Sequence, residues 1–256
     1  VALKALVDKA HETFTKLVDA QIKQLSENPV PYTSDLSPPP AIESLLDQTR
    51  SLIKVHSDCL VAESEKDEAF VPVLEKLVKA ILNSTTNAKG LNESNGAVYR
   101  LNTACALDGC LKSPEGGVVQ VKAGVSAVVK KLIKQLIMLQ AQAFLDKAGL
   151  GEVAKALNGQ QTDSKGAPAL EESKLRAALS SFYGHLAGVN TLLTPEMDRL
   201  SDPWVRVTVR DGVGVFVKDS YARLHAHVLN PKSGYSPGAS AMLKHSPKQI
   251  ETLLDI

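Results

Sequence analysis

The sequence predicts an all-α protein, a set of antiparallel, stacked helical bundles. Three observations point there. Apolar residues recur at three- and four-residue steps through most of the chain, the period of an amphipathic helix. Aromatic residues are only 4% of the composition, so a core has to be built from Leu, Val, Ile and Ala, which suits helix-on-helix packing. Outside residues 204–217, no run alternates convincingly as a strand.

The elements follow in order. Residues 2–26 place Leu3, Leu6, Val7, Phe14, Leu17, Val18, Ile22 and Leu25 mainly three, four and seven apart, an amphipathic helix that Pro29 and Pro31 end because proline has no amide donor. The run Pro38-Pro39-Pro40 leads stiffly into a second helix over about 41–61, with Ile42, Leu45, Leu46, Leu52, Ile53, Val55 and Leu60 as its apolar set. A third helix is expected over about 67–84, with Pro72 in its first turns, and a fourth over about 91–111, broken by Ser113-Pro-Glu-Gly-Gly117.

The fifth pattern is the strongest. Val118, Val121, Val125, Val128, Leu132, Leu136, Leu139 and Ala143 form one stripe, on a helix about 45 Å long at about 1.5 Å per residue. Ile137, Met138 and Leu145 add apolar surface off that stripe, so the second half of the helix should be packed on several sides. Gly149 and Gly151 interrupt it, a short helix follows to about Asn158, and Gly159 to Pro168 is a polar loop. A further helix over about 170–186 opens on Glu171 and Glu172, which complement its dipole. The chain is divided into a helical bundle at 1–88 and a second at 89–256 with the long central helix and a C-terminal cap at 243–256, or it forms one continuous elongated rod.

Residues 204–217 support two readings. Val205, Val207 and Val209 alternate, Asp211-Gly212 is a favoured two-residue turn, and Val213, Val215 and Val217 alternate back, which is a β-hairpin. Yet Leu200, Trp204, Val207, Gly214, Val217, Tyr221, Leu224 and Val228 fall near one helical face. A lone hairpin needs a sheet or helices to cover it, and no other strand is available. The reading therefore tips to helix.

Bulk properties exclude several function classes. The formal net charge is +1, without the broad basic excess of a nucleic-acid binder. Cys59, Cys105 and Cys110 are odd in number and fit a reducing compartment, as small buried apolar groups. Cys105 and Cys110 would sit on different faces of a helix, which argues against a zinc pair. His225-Ala-His227 would splay apart on a helix, with no completing cluster nearby. The longest uncharged segment, Ala177 to Pro195, carries too many polar groups to span a membrane. Lys130, Lys131 and Lys134 read as a solvent face rather than a lipid contact. No P-loop, dinucleotide fingerprint or nucleophile elbow is present, and Gly212-Val-Gly214 is only a fragment of such a motif. No catalytic, cofactor-binding or metal-ligating residue is nominated, and an enzyme is not expected. The absence of an initiating methionine and of a secretory leader reads as a piece of a longer polypeptide.

The last fifty residues carry the most information. Tyr221 and Val228 lie on a helix that stops at Asn230-Pro231, a linker with Tyr235 follows, and the chain closes on Leu243, Ser246, Pro247, Gln249, Ile250, Thr252, Leu253 and Leu254. This Leu-x-x-Ser-Pro-x-Gln-Ile-x-Thr-Leu-Leu ending resembles the C-terminal half of subunit 6 of the conserved oligomeric Golgi complex, a vesicle-tethering complex. The long helix ending in Lys-Ala-Gly-Leu150 and the stretch Leu175 to Leu186 are colinear with that family, whereas Trp204 to Val217 is richer in Val and Gly than the polar helix expected there. The resemblance implies a helical-rod scaffold subunit without catalysis, on the cytosolic face of Golgi membranes and peripheral to them, serving intra-Golgi retrograde transport. It implies other subunits of the complex, SNARE proteins and Rab GTPases as partners. Tyr221, Leu224, Val228, Leu243, Ile250, Leu253 and Leu254 are the candidate interface or capping residues. The competing readings are a helical adaptor that binds peptide or helix partners outside Golgi traffic, and an all-helical enzyme.

Overall fold

The computed structural model describes residues 2–27, 31–60, 62–86, 88, 90–112, 116–159, 171–188 and 192–255. Pro29 as a helix stop, the break at residues 113–115 and the polar loop over residues 160–168 lie outside them. Among the described residues there are nine α-helices and no strand: α1 (Ala2–Glu27), α2 (Pro40–Asp58), α3 (Glu63–Thr86), α4 (Glu93–Cys110), α5 (Val118–Ala148), α6 (Gly151–Gly159), α7 (Glu172–Gly188), α8 (Pro203–Leu229) and α9 (Pro247–Leu253). Two 3-10 turns, Pro195–Arg199 and Pro237–Met242, complete the order. The all-α expectation holds. Packing divides the chain into two units, Val1–Ile133 with Asp198–Asp202, and Lys134–Met197 with Pro203–Ile256.

The first unit is organised around α4. Its buried residues (Val98, Tyr99, Leu101, Asn102, Thr103, Ala104 and Leu107 among them) point all round the helix axis, the signature of a helix enclosed by neighbours rather than lying on a surface. Helices α2 and α3 pack on it and on each other, and α1 packs on α3. The aliphatic core joins Leu25, Ile42, Leu46, Leu74, Leu77, Ile81, Leu107 and Leu111 to Val118, Val121 and Val125 of α5. It thus draws on both sides of residue 88. Pro40 at the first position of α2 costs no hydrogen bond, as the proline run suggests.

Three expectations need correction here. Helix α3 starts at Glu63, so Pro72 lies inside it rather than in its first turns, and the carbonyl of Glu68 loses its helical donor. On α1 the apolar stripe is only partly covered: Val18 and Leu25 are buried, but Leu6 and Leu17 are exposed. Cys59 is exposed and Cys105 half-buried, leaving Cys110 as the one buried thiol among them.

Two polar devices hold the loops of this unit. Asn102, 3% exposed, donates through Nδ2 to the carbonyls of Leu36 (2.9 Å) and Arg199 (2.8 Å). Its Oδ1 accepts from the Ser201 amide at 3.0 Å. One side chain therefore supplies three backbone groups that lie outside the α-helices, the one at Leu36 fully buried. It also steadies Leu36, which is fully buried at a φ of 61°, a left-handed conformation costly for a residue with a branched side chain. The second device is Asp67, whose Oδ2 accepts from the Gly117 amide at 2.7 Å just before α5, while Oδ1 meets His56 Nε2 at 2.8 Å. The Gly117 bond, foremost, and His56 hold the Asp67 carboxyl below the usual carboxylate range. His56 is stacked on Phe70 at 4.6 Å.

In the second unit α8 is the axis. Its buried line is Val205, Val209, Val213, Val217, Tyr221, Leu224 and Val228, steps of four that close with a three and a four. The helix reading of residues 204–217 is correct, and Gly214, Val217, Tyr221, Leu224 and Val228 of the expected face are buried, but the start of that face on α8 is not: Trp204 and Val207 are exposed at 68% and 55%. The physical reason is arithmetic. A run that alternates with period two contains a set with period four, so the valines of an apparent hairpin are also a helical stripe. Gly212 is there for close approach rather than for a turn. A Cβ on it would lie 2.4 Å from Ile137 Cδ1 on α5.

Around α8 this unit packs α6, α9 and the Pro237–Met242 turn. From α5, Leu136, Gln140, Ala141, Phe144, Leu145 and Ala148 are buried, an arc of roughly half the helix circumference at about 100° per residue, as expected for packing on several sides. Met138 nevertheless stays exposed. Gln140 Oε1 accepts from both the amide and the hydroxyl of Thr194 at 3.0 Å.

Two stability predictions follow from these contacts. Asn102→Ala removes the partner of the buried Leu36 carbonyl and of two half-covered loop groups and should cost about 1–3 kcal/mol in urea unfolding, whereas Asn95→Ala should change the midpoint little. Gly212→Val should cost about 1–3 kcal/mol through overpacking against Ile137, and adding Ile137→Ala should recover part of it, a non-additivity readable in the same titration.

Candidate functional site

The seven candidate residues are brought together in the second unit, around the chain's end. Tyr221, Leu224 and Val228 line the buried face of α8. Ile250 and Leu254, one helical turn apart, are buried, while Leu243 is half-buried and Leu253 is 51% exposed. The closing helix is shorter than the sequence suggests. Leu243 precedes it as the residue after a 3-10 turn.

Local sequence explains how α9 forms from only seven residues. Ser246 is the N-cap and Pro247 the first helical residue. Ser246 Oγ accepts from the Gln249 amide at 3.3 Å, and Gln249 Oε1 accepts from the Ser246 amide at 2.8 Å. This reciprocal capping box supplies two of the donors that a helix start leaves unpaired. Pro247 removes another.

The segment just before α9 is held by a hydrogen-bond chain whose direction the geometry fixes. Tyr221 Oη lies 2.5 Å from the His245 carbonyl, which can only accept, so the Tyr221 proton points there. Tyr183 Oη, 2.8 Å from Tyr221 Oη, must then be the donor between the two phenols. Tyr183 in turn accepts from the Lys244 amide at 3.2 Å. The order is Lys244 N–H to Tyr183 to Tyr221 to the His245 carbonyl. Two consecutive tail residues thus have backbone groups satisfied by phenols from α7 and α8.

Rings reinforce it. Phe182 stacks on Tyr221 at 5.6 Å, and His245 packs edge-on to Tyr183 at 5.1 Å. Burial, foremost, and the neighbouring Tyr183 raise the Tyr221 phenol well above its ordinary range. Further back, Ser236 Oγ donates to Glu172 of α7 at 3.0 Å, and Arg210 of α8 pairs with Asp255 at 3.0 Å.

Sequence reasoning missed Tyr183. A signal was present: Phe182-Tyr183 continues the Leu175 and Leu179 face of α7 in a chain with only five Phe and five Tyr.

The contacts around the chain's end are structural ones within its own unit. His225 and His227 turn to different neighbours, Tyr221 at 6.0 Å and Tyr235 at 5.8 Å, as the helical spacing predicts, and burial lowers the His227 pKa. Burial pushes the Cys105 thiol up to about 11, away from reactive thiolate. Among the described residues no group of three or more His, Cys, Asp or Glu is placed to hold a metal. None of the helices described is long and apolar enough to cross a membrane.

Tyr221→Phe leaves Tyr183 and the His245 carbonyl short of a partner and should cost about 1–3 kcal/mol, with faster amide exchange at Lys244. Because the folded pKa of Tyr221 is raised, its contribution is full below the ordinary value of 10.0 and is lost as pH climbs above it. Alkaline unfolding should therefore be shallower in the variant than in the parent.

A family model described as Conserved Oligomeric Golgi complex subunit 6, C-terminal, matches residues 1–254. The conserved oligomeric Golgi complex subunit 6 of Arabidopsis thaliana is 22% identical over 97% of this chain and 42% of its own length. That of Rattus norvegicus is 25% identical over 86% of the chain and 34% of its own length. The Dictyostelium discoideum protein is 23% identical over 94% and 37%. The chain spans about two fifths or less of these curated relatives. No solved structure matches it. With the family model covering nearly every residue and the tail folding as a capped, clasped unit, the chain belongs to the family of conserved oligomeric Golgi complex subunit 6, in its C-terminal region.

Proposed function

We propose that this chain is the C-terminal part of a structural subunit of the Golgi vesicle-tethering complex, acting through protein–protein contacts in intra-Golgi retrograde transport. The observation that carries the reading is the family match over residues 1–254. Its partners are the other subunits of that complex, with SNARE proteins and Rab GTPases as the machinery it serves. The protein acts on the cytosolic face of Golgi membranes as a peripheral component, a reading supported by the family match. It needs no catalytic group, cofactor or nucleic acid.

Within that assembly the tail has two roles. Tyr221, Leu224, Val228, Leu243, Ile250 and Leu254 anchor the end of the chain on its own unit. Leu253 faces outward at 51% exposure and is the residue of this set that meets a partner.

A tagged full-length protein recovered from cells should bring the other subunits with it; their absence would sink the reading. Leu253→Asp should cut that recovery several-fold while leaving thermal unfolding unchanged, since an exposed substitution costs about 0.5 kcal/mol or less. Ile250→Asp should lower both, because it puts a charge where the side chain is 0% exposed. Equal recovery with Leu253→Asp and the parent would remove Leu253 from the interface.

A further inference from the structure

Away from the tail, the first unit has an open groove of about 600 Å³ between the second half of α2 and the last turn of α4. Its floor is Ala106, Gly109 and Cys110, small residues one turn apart on α4, and Ile53 of α2 adds an apolar wall. Space above Gly109 is open: a Cβ built there meets nothing within 4 Å. A third backbone can therefore come close to α4.

The rim is basic. Arg50, Lys54 and Lys112 border the groove against a single carboxylate, Asp58. Arg50 is half engaged, with one amino nitrogen on Asp47 and the other donating to Cys110 Sγ at 3.4 Å. Among the described residues, Lys54 and Lys112 hold no ion pair.

The kind of ligand follows from how these charges are arranged. Both helices present their C-terminal ends, so no cluster of free backbone amides is available to hold a compact polyphosphate. A helix fits better. Its apolar or small face rests on Ala106, Gly109 and Ile53, and carboxylates on its flanks reach Arg50, Lys54 and Lys112 at the rim.

We infer that the α2–α4 groove docks an acidic amphipathic helix from another subunit of the complex, with its carboxylates paired to Arg50, Lys54 and Lys112. This rests on the reading of the chain as a complex subunit, which supplies the partner.

The test uses the complex purified through tagged full-length protein, treated with a carbodiimide that couples amines directly to carboxylates. Mass spectrometry should find Lys54 or Lys112 joined to Asp or Glu in a helical segment of one other subunit, and both lysines should acetylate more slowly in the complex than in the isolated chain. The double variant Lys54→Glu/Lys112→Glu should lower recovery of that subunit by about tenfold or more, while Lys130→Glu/Lys131→Glu, an exposed pair elsewhere, should not. Equal acetylation in the two states would overturn the inference. Coupling only to Asp47 or Asp58, or only to another part of the same polypeptide, would do so too, as would protection that appears only with vesicles containing anionic lipid. If no other subunit copurifies at all, the functional reading itself has failed, a result separable from lysines that stay reactive within an intact complex.

Discussion

The hydrogen-bond chain from Lys244 through Tyr183 and Tyr221 to His245 is the constraint on which the second unit depends. Between the Pro237–Met242 turn and α9 the backbone belongs to no long helix, so its amides and carbonyls need partners from elsewhere. Each phenol both donates and accepts, which lets two side chains satisfy two consecutive tail residues and each other. Leaving one such group unmade in a buried site costs about 1–3 kcal/mol, comparable to the gain from burying an aliphatic side chain. Once the segment is fixed, Ile250 and Leu254 drop into place against the unit, and the capping box sets where α9 begins. Asn102 does the same work in the first unit, for Leu36, Arg199 and Ser201.

Helix existence was legible in the sequence because it depends on local periodicity, and even α8 could be read as a helix once no partner strand was found. Which face is buried was less legible. Trp204 and Val207 fall on a plausible apolar line, yet burial follows Val205, Val209, Val213 and Val217. That choice is made by what lies across the contact, and Gly212 against Ile137 is a fact about two helices, not one. Central α4 was hard to read for the opposite reason. A helix covered all round has no polar face to give it a period, and its Asn102 looks like an ordinary polar residue until the loops it serves are in view. The left-handed Leu36 has no sequence mark at all.

The tail signature is mostly a folding instruction. Ser246, Pro247 and Gln249 start a helix, and Ile250 and Leu254 point inward. Tyr221 closes the clasp. Among the described tail residues, Leu253 is the large apolar side chain left outward. A motif can identify a family through the physics of its own folding, and the residues that make it recognisable need not be those that touch a partner.

This separation also explains why the recognisable segment is short while the relationship spans the chain. Overall identity to the relatives is low, 22% to the Arabidopsis thaliana protein across 97% of this chain. A helical core asks for apolar volume of about the right size, and swaps of similar volume typically cost less than about 1.5 kcal/mol. The capping box and the paired phenols ask for particular atoms at particular places, and no aliphatic residue can replace them. A helical scaffold of this kind can therefore diverge through most of its length and still end on a fixed phrase. Exposed surfaces, the α2–α4 groove and the outer face of α8 among them, are under no such packing demand.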